Sequence, residues 1–169
     1  MSFLYPKLQN KTIRKTATVL ATGFGLGYSP VASGTVGSLL GCVIVWLFTL
    51  LAMPVWMQLL ACAALFLLGI PCASIAEKDL GGIKDNGKIV CDEYFNLPIC
   101  MIGLTPYWQE SVWLMPVCFV VVRILDITKP FPAYRSQSLP SGLGIMVDDL
   151  IVSIYALGIN WLLFTHFFR

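Results

Sequence analysis

Sixty-one consecutive residues, from Thr16 to Ala76, carry no charged side chain. After Asp149, a further nineteen residues hold only His166 as a group that could become charged. A water-soluble domain has charges on about a quarter of its residues, whereas here 12% are charged and 57% are hydrophobic. The sequence therefore predicts an integral membrane protein, with enough chain for one domain over residues 1–169.

Apolar runs between turn residues predict the spanning helices. At a rise of about 1.5 Å per residue, a helix needs roughly 20 residues to cross a hydrocarbon core of about 30 Å. The runs that reach or approach this length are 36–53, 55–76, 89–104, 111–126 and 143–168.

Two segments are marginal. The run at 94–104 has eleven residues and can span only if its helix begins near Ile89. Residues 16–28 contain three glycines, are too short to span, and could form an interfacial or re-entrant helix. The expected fold is an all-α membrane bundle of about four spanning helices plus this short N-terminal helix.

Acidic residues occur in groups beside these runs. Eight of the nine carboxylates belong to three groups, namely Glu77, Asp79, Asp85, Asp92 and Glu93, then Asp126, then Asp148 and Asp149. With the N-terminus in the cytoplasm, counting spans places all three groups and ten of the eleven Lys and Arg residues on the cytoplasmic side. This orientation agrees with the positive-inside rule and leaves only Glu110 and Arg169 outside.

Two adjacent acid pairs, Asp92–Glu93 and Asp148–Asp149, are candidates for a cation site. Acids at membrane depth are costly and usually mark an ion, proton or substrate site. Neighbours on a helix point about 100° apart, so one pair cannot enclose an ion. Two pairs on packed helices could surround one or two hard cations such as Mg²⁺. For Glu77 and Asp79 we favour the simpler interpretation, solvated ends of spans.

Two further motifs each allow two interpretations. Arg123, Asp126 and Lys129 are three residues apart and share a helix face. They could form ion pairs near anionic headgroups, or Asp126 could be a ligand or base while the cations hold a phosphate.

The segment 33–38 (SGTVGS) leads into a helix. Its hydroxyls could cap the helix, the simpler alternative, or its amides could cradle a phosphate.

The sequence lacks the residues that other metal sites and other phosphatase mechanisms need. The six cysteines form no CxxC pair and His166 is the only histidine, so neither a zinc site nor a two-histidine lipid phosphatase is expected. Cys118 lies one residue too close to Arg123 for a cysteine phosphatase. An ion or metabolite transporter with an intramembrane acidic site is the alternative function, although acids at one face and the lack of a repeat are atypical of one.

Four segments in order resemble the phosphatidylglycerophosphatase A family. They are GFGLGYSPVASGTVGS (23–38), DNGKIVCDE (85–93), RILDITKPFP (123–132) and GLGIMVDDL (142–150). The chain departs from the family pattern at Ser33, Asn96 and Ser153, and none of these departures removes an acid. The CDP-alcohol phosphotransferases, which are also metal-dependent membrane enzymes, have an aspartate-rich motif that is missing here.

The resemblance implies a Mg²⁺-dependent phosphatase, which we expect in the bacterial inner membrane, and the charge count above places its active site on the cytoplasmic side. It implies hydrolysis of phosphatidylglycerophosphate to phosphatidylglycerol, no nucleic-acid partner, and a central helix surrounded by others. The metal ligands it implies are Asp85, Asp92, Glu93, Asp148 and Asp149. The catalytic residues are Asp126, Asp92 and Asp149, and the phosphate-binding residues are Lys129, Arg123, Thr35, Gly37 and Ser38.

Overall fold

The structure is a computed structural model that describes residues 10–83, 86–109, 111 and 113–168. The described residues form α-helices, short 3₁₀ segments and one π-helical end, without strands, which confirms the all-α prediction. The helices are α1 (Lys11–Ala21), α2 (Ser33–Leu50), α3 (Val55–Asp79), α4 (Cys91–Asn96), α5 (Leu114–Thr128), α6 (Ala133–Ser136) and α7 (Gly142–Leu163).

Within the described ranges, three helices are long and apolar enough to cross a membrane. They are α2, α3, and α7 together with the π-helical turn that continues it. Helix α5 has fifteen residues, a length of about 22 Å, which is short of a hydrocarbon core.

The long helices alternate in direction, so charged residues from distant parts of the sequence meet. Ser38 near the start of α2 contacts Arg123 near the end of α5, and Lys129 after α5 contacts Asp148 near the start of α7. We call this the polar end of the bundle. The opposite, far end holds the start of α3, where Gln58 contacts Thr105.

A buried broken helix occupies the run 89–104, which could span only as a helix that begins near Ile89. The structure has no single helix over this run: α4 covers Cys91–Asn96, a 3₁₀ segment follows over Leu97–Met101, and the chain turns at Gly103. Pro98 lacks the amide hydrogen that a continuing α-helix would use. From residue 91 to 105, all but Glu93 and Gly103 are buried. This segment, packed on by α2, α3, α5 and α7, holds the central place that the resemblance assigned to a helix.

Polar side chains from the spans satisfy the backbone of this broken helix. Asn160 of α7 donates to the carbonyl of Cys100 at 3.0 Å, and Trp161 donates to that of Ile102 at 3.1 Å. Gln58 of α3 accepts a hydrogen bond from the amide of Gly103. Irregular backbone is tolerated at membrane depth only where protein surrounds it and supplies such partners.

The N-terminal segment also differs from expectation. A helix begins earlier, at Lys11, where Asn10 Oδ1 caps the amide of Thr12 at 2.9 Å. It ends at Ala21, and a 3₁₀ segment over Gly23–Tyr28 follows, so residues 16–28 are not one helix. Helix α1 packs on α3 through its buried alanines. Gly27 is required in the next turn, because a Cβ there would lie 2.1 Å from the carbonyl oxygen of Lys88.

Candidate active site

Five acids from three helices converge at the polar end. Asp92 and Glu93 lie in the first turn of α4, Asp126 in the last turn of α5, and Asp148 and Asp149 in the second turn of α7. The side chains of Asp148 and Asp149 are only 4% and 8% exposed. The carboxyl group of Asp149 interacts electrostatically with the other four. We call these five residues the acid cluster.

Arg123 joins the acid cluster to α2. Its Nη1 forms an ion pair with Glu93 Oε2 and lies 3.2 Å from Asp126 Oδ2. The same nitrogen donates to Ser38 Oγ at 3.2 Å, and Ser38 Oγ in turn donates to Glu93 Oε2 at 2.9 Å. One guanidinium nitrogen therefore connects α5 to both α4 and α2.

Lys129 lies among the other acids. It follows α5 with left-handed backbone angles, φ 39° and ψ 69°. Its ammonium pairs with Asp148 Oδ2 and lies 3.7 Å from Asp126 Oδ1 and 3.9 Å from Asp149 Oδ1. Burial alone would lower the pKa of Lys129, but the charges of Asp149, Asp148 and Asp126 outweigh it and raise the pKa above its ordinary value.

The start of α2 meets the site through a close backbone approach. Gly34 leaves room for the Glu93 side chain, because a Cβ there would lie 2.1 Å from Glu93 Oε1 and 3.3 Å from Arg123 Nη2 and would displace Glu93. The expected hydroxyl cap is wrong: the N-cap is Ala32, in the left-handed region, without a side-chain cap hydrogen bond. Ser33 Oγ instead donates to the carbonyl of Gly87 at 2.7 Å.

The other site residues and acids considered in the sequence analysis differ in burial and in distance from the acid cluster. Gly37 packs against Val90, and Thr35, in the first turn of α2, is partly buried. Asp85, a predicted metal ligand, lies outside the described residues. Of the acids expected to be solvated, Glu77 is buried, and Asp79 pairs with Arg14 of α1 away from the acid cluster.

Two residues at this end, Gln137 and Ser153, were not predicted from the sequence to be part of the site. Gln137, in the turn after α6, donates to Asp148 Oδ2 at 3.1 Å. Ser153 lines a small cavity shared by Ser38, Glu93, Arg123 and Asp149. The signal available for Ser153 was its position four residues after Asp149, on the same face of α7. Gln137 lies in an irregular loop and gave no such signal.

The acid cluster fits a hard divalent cation by its chemistry. It presents only oxygen donors, and if ionised its five negative charges exceed the two positive charges of Arg123 and Lys129 by three. Among the described residues, no three His, Cys, Asp or Glu side chains already have the spacing of a metal site. The two basic side chains extend between the carboxylates, so the Lys129 ammonium takes the place nearest three of them.

The fold and site define a class of protein: a membrane-associated helical bundle with an acidic, oxygen-rich site at one end. A family model described as phosphatidylglycerophosphatase A matches residues 19–164. The chain therefore belongs to the phosphatidylglycerophosphatase A family, which confirms the resemblance. No solved structure matches it significantly.

Three curated relatives are similar over most of their length. The phosphatidylglycerophosphatase A of Haemophilus influenzae is 38% identical over 141 residues, covering 82% of each chain. That of Escherichia coli is 35% identical over 150 residues, covering 88% of this chain and 83% of the relative. A Bacteroides thetaiotaomicron protein, named as a candidate phosphatidylinositol-3-phosphatase, is 32% identical over 142 residues, covering 82% of this chain and 87% of the relative.

Proposed function

We propose that this protein hydrolyses the phosphomonoester of phosphatidylglycerophosphate at the acid cluster, releasing phosphatidylglycerol and inorganic phosphate. The observation that carries the proposal is the convergence of five acids and two basic side chains from α4, α5 and α7 in a chain of this family. A lipid substrate also accounts for an enzyme built from apolar helices, because the acyl chains can stay in the bilayer while the headgroup reaches the polar end.

Mg²⁺ is the proposed cofactor, and the residues that would hold it are Asp92, Glu93, Asp148 and Asp149, with Asp85 as a further candidate. When bound, the ion would offset the charge of the phosphate and lower the pKa of a water molecule. The donor set supports this assignment because Mg²⁺ takes carboxylate and water oxygens.

Arg123 and Lys129 are the proposed phosphate-binding groups. Arg123 holds Glu93, Asp126 and Ser38, and a phosphate oxygen could replace one of these partners without loss of hydrogen bonds. Lys129 supplies a point charge that stays protonated because its pKa is raised. The amides in the first turn of α2, near Thr35 and Gly37, are the proposed additional donors.

Asp126 is the proposed general base. It lies between the two basic groups, 3.2 Å from Arg123 Nη1 and 3.7 Å from Lys129 Nζ. It would accept a proton as a water oxygen bonds to phosphorus, and return that proton to the glycerol oxygen as the ester bond breaks. Such a base contributes about 10²–10⁴-fold in rate.

Phosphate release from purified protein tests the proposal, with phosphatidylglycerophosphate in mixed micelles, with and without Mg²⁺. We expect Asp92→Asn and Asp148→Asn to lower kcat at least 100-fold. Glu110→Gln is the matched control, because Glu110 is the acid outside the three sequence groups, and it should retain activity. Wild-type rates in both aspartate variants would rule out the acid cluster as the active site.

We also propose that the polar end faces the cytoplasm of a bacterial inner membrane, because that orientation places ten of the eleven basic residues inside. Lys88 is exposed at this end. A single cysteine in place of Lys88, in a variant without the native cysteines, should react with an impermeant thiol reagent only in inside-out vesicles. Labelling in right-side-out spheroplasts would reverse the orientation.

A further inference from the structure

A cleft beside α1 is a second candidate site, separate from the acid cluster. It lies between α1, the 3₁₀ segment Gly23–Tyr28 and the end of α3, and has a volume of about 730 Å³. This is within the usual range for small-molecule sites. Its lining shares no residue with the cavity at the acid cluster.

One face of α1 makes the wall of this cleft basic. Lys11, Arg14, Lys15 and Thr18 all line it. At 3.6 residues per turn these positions fall on one side of the helix, and its Arg14 edge, which contacts Asp79 of α3, borders the alanines that pack on α3.

Only one of the three basic residues is neutralised. Arg14 pairs with Asp79, and within the described part of the chain Lys11 and Lys15 form no ion pair. Of the described residues that line the cleft, Asp79 is the one acid. The cleft therefore has an excess of positive charge and complements an anion.

Exposed apolar side chains adjoin this charge. Phe24 is 69% exposed and Val19 is 40% exposed, and both line the cleft. Asp79 is the last residue of a membrane-length helix, so the cleft lies at the level where a bilayer's headgroups begin. Basic residues next to exposed aromatic and aliphatic ones at this depth are typical of an interface with anionic lipid.

We propose that this cleft binds the phosphate headgroup of an anionic phospholipid of the surrounding membrane, at a site distinct from the acid cluster. Lys11 and Lys15 contact the phosphate, and the acyl chains lie against Val19 and Phe24, while the hydroxyl of Thr18 donates to Asp79 Oδ2 at 2.9 Å. The bound lipid holds α1 on the membrane surface. A neutral lipid lacks the charge that the two lysines require.

Native mass spectrometry of the purified protein in a neutral detergent tests this inference without any turnover. The probes are dioctanoyl phosphatidylglycerol and dioctanoyl phosphatidylcholine, in EDTA, which removes any divalent cation from the acid cluster. We expect phosphatidylglycerol to bind preferentially. K11Q/K15Q should weaken its binding about 25-fold, since each basic group near an anionic lipid contributes roughly a factor of five.

Two variants control for net charge and for side-chain identity. K78Q/R135Q removes the same two charges from exposed positions that do not line the cleft, and should change the affinity less than twofold. K11R/K15R keeps the charge and should keep the binding. If K11Q/K15Q does not fold, the salt dependence of wild-type binding replaces it, because added salt must weaken an electrostatic site.

Three results would overturn the inference. Equal binding of the two lipids would show that charge does not determine binding. Equal losses of affinity in K11Q/K15Q and K78Q/R135Q would show that the lipid does not bind in the cleft. Displacement of the lipid by inorganic phosphate at the same concentration would make this a site for soluble phosphate. Lipid binding and phosphate release are measured separately, so a failure of either proposal leaves the other testable.

Discussion

Lys129 offers a direct test of how the acid cluster is held together. Its ammonium lies 3.7 Å from Asp126 and 3.9 Å from Asp149, and it pairs with Asp148. At an effective dielectric constant of about 20, each of the two measured distances corresponds to roughly 4 kcal/mol of Coulomb attraction before desolvation. Lys129→Gln leaves three largely buried carboxylates without their shared cation, and breaking a buried pair in this way costs about 3–5 kcal/mol.

The cost should be visible in thermal unfolding. For a chain of this size, 1 kcal/mol shifts Tm by about 2–4 °C, so we expect Lys129→Gln to lower Tm by roughly 6–20 °C in EDTA. Five of the six cysteines are buried, so a thiol-reactive fluorophore added during a temperature ramp in detergent reports unfolding. Lys78→Gln, which removes an exposed lysine at the end of α3, should shift Tm by about 4 °C or less.

Magnesium should reverse the defect. An ion bound at the proposed metal site would compete with the Lys129 ammonium for the same carboxylate oxygens, so the variant should bind Mg²⁺ more tightly and gain more stability from it than the wild type. The reasoning fails if Lys129→Gln melts with the wild type in EDTA. It also fails if Mg²⁺ raises the two melting temperatures equally.

Two further predictions use the same assays. Asn160→Leu should lower the free energy of unfolding by about 1–3 kcal/mol, because a buried carbonyl of the broken helix loses its donor; an unchanged Tm in the thiol assay would contradict this. Gly34→Ala should lower phosphate release at least tenfold by displacing Glu93 from Arg123, whereas Gly158→Ala, where a Cβ meets nothing within 4 Å, should retain activity. Equal rates in the two alanine variants would show that the close approach of α2 is unimportant.

The meeting of the acids could be predicted from the sequence, because charges are so few. With 61 uncharged residues before Glu77, the acids had to lie at the ends of apolar elements, and alternating directions bring such ends together. The structure places Asp92, Asp126 and Asp148 accordingly. The contacts of the basic residues could be predicted only in part. Helical spacing predicts a shared face for Arg123 and Lys129. The contact of Arg123 with Ser38 could not be predicted, because it joins residues 85 positions apart.

The broken helix could not be predicted, because its run is apolar throughout and so has no periodicity that separates a spanning helix from a buried irregular segment. Its partners Gln58 and Asn160 lie in other spans, 45 and 60 residues away from the groups they bind. Glu77 was misjudged for a similar reason. A carboxylate at the end of an apolar run is equally consistent with a solvated or a packed position, and only the packing of α3 decides between them.

The broken helix and the acid cluster depend on each other. Asp92 and Glu93 lie in the first turn of α4, and the same segment is fixed at the far end of the bundle by a hydrogen bond from Asn160 to the carbonyl of Cys100 and one from the amide of Gly103 to Gln58. Without those bonds the segment could slide along its axis, because an apolar surface offers no directional contact that sets its position. Helix α7 carries both Asp149 of the acid cluster and Asn160, which binds the 3₁₀ segment after α4 at the far end. Polar residues at the far end therefore set the depth at which the acids of α4 meet those of α7.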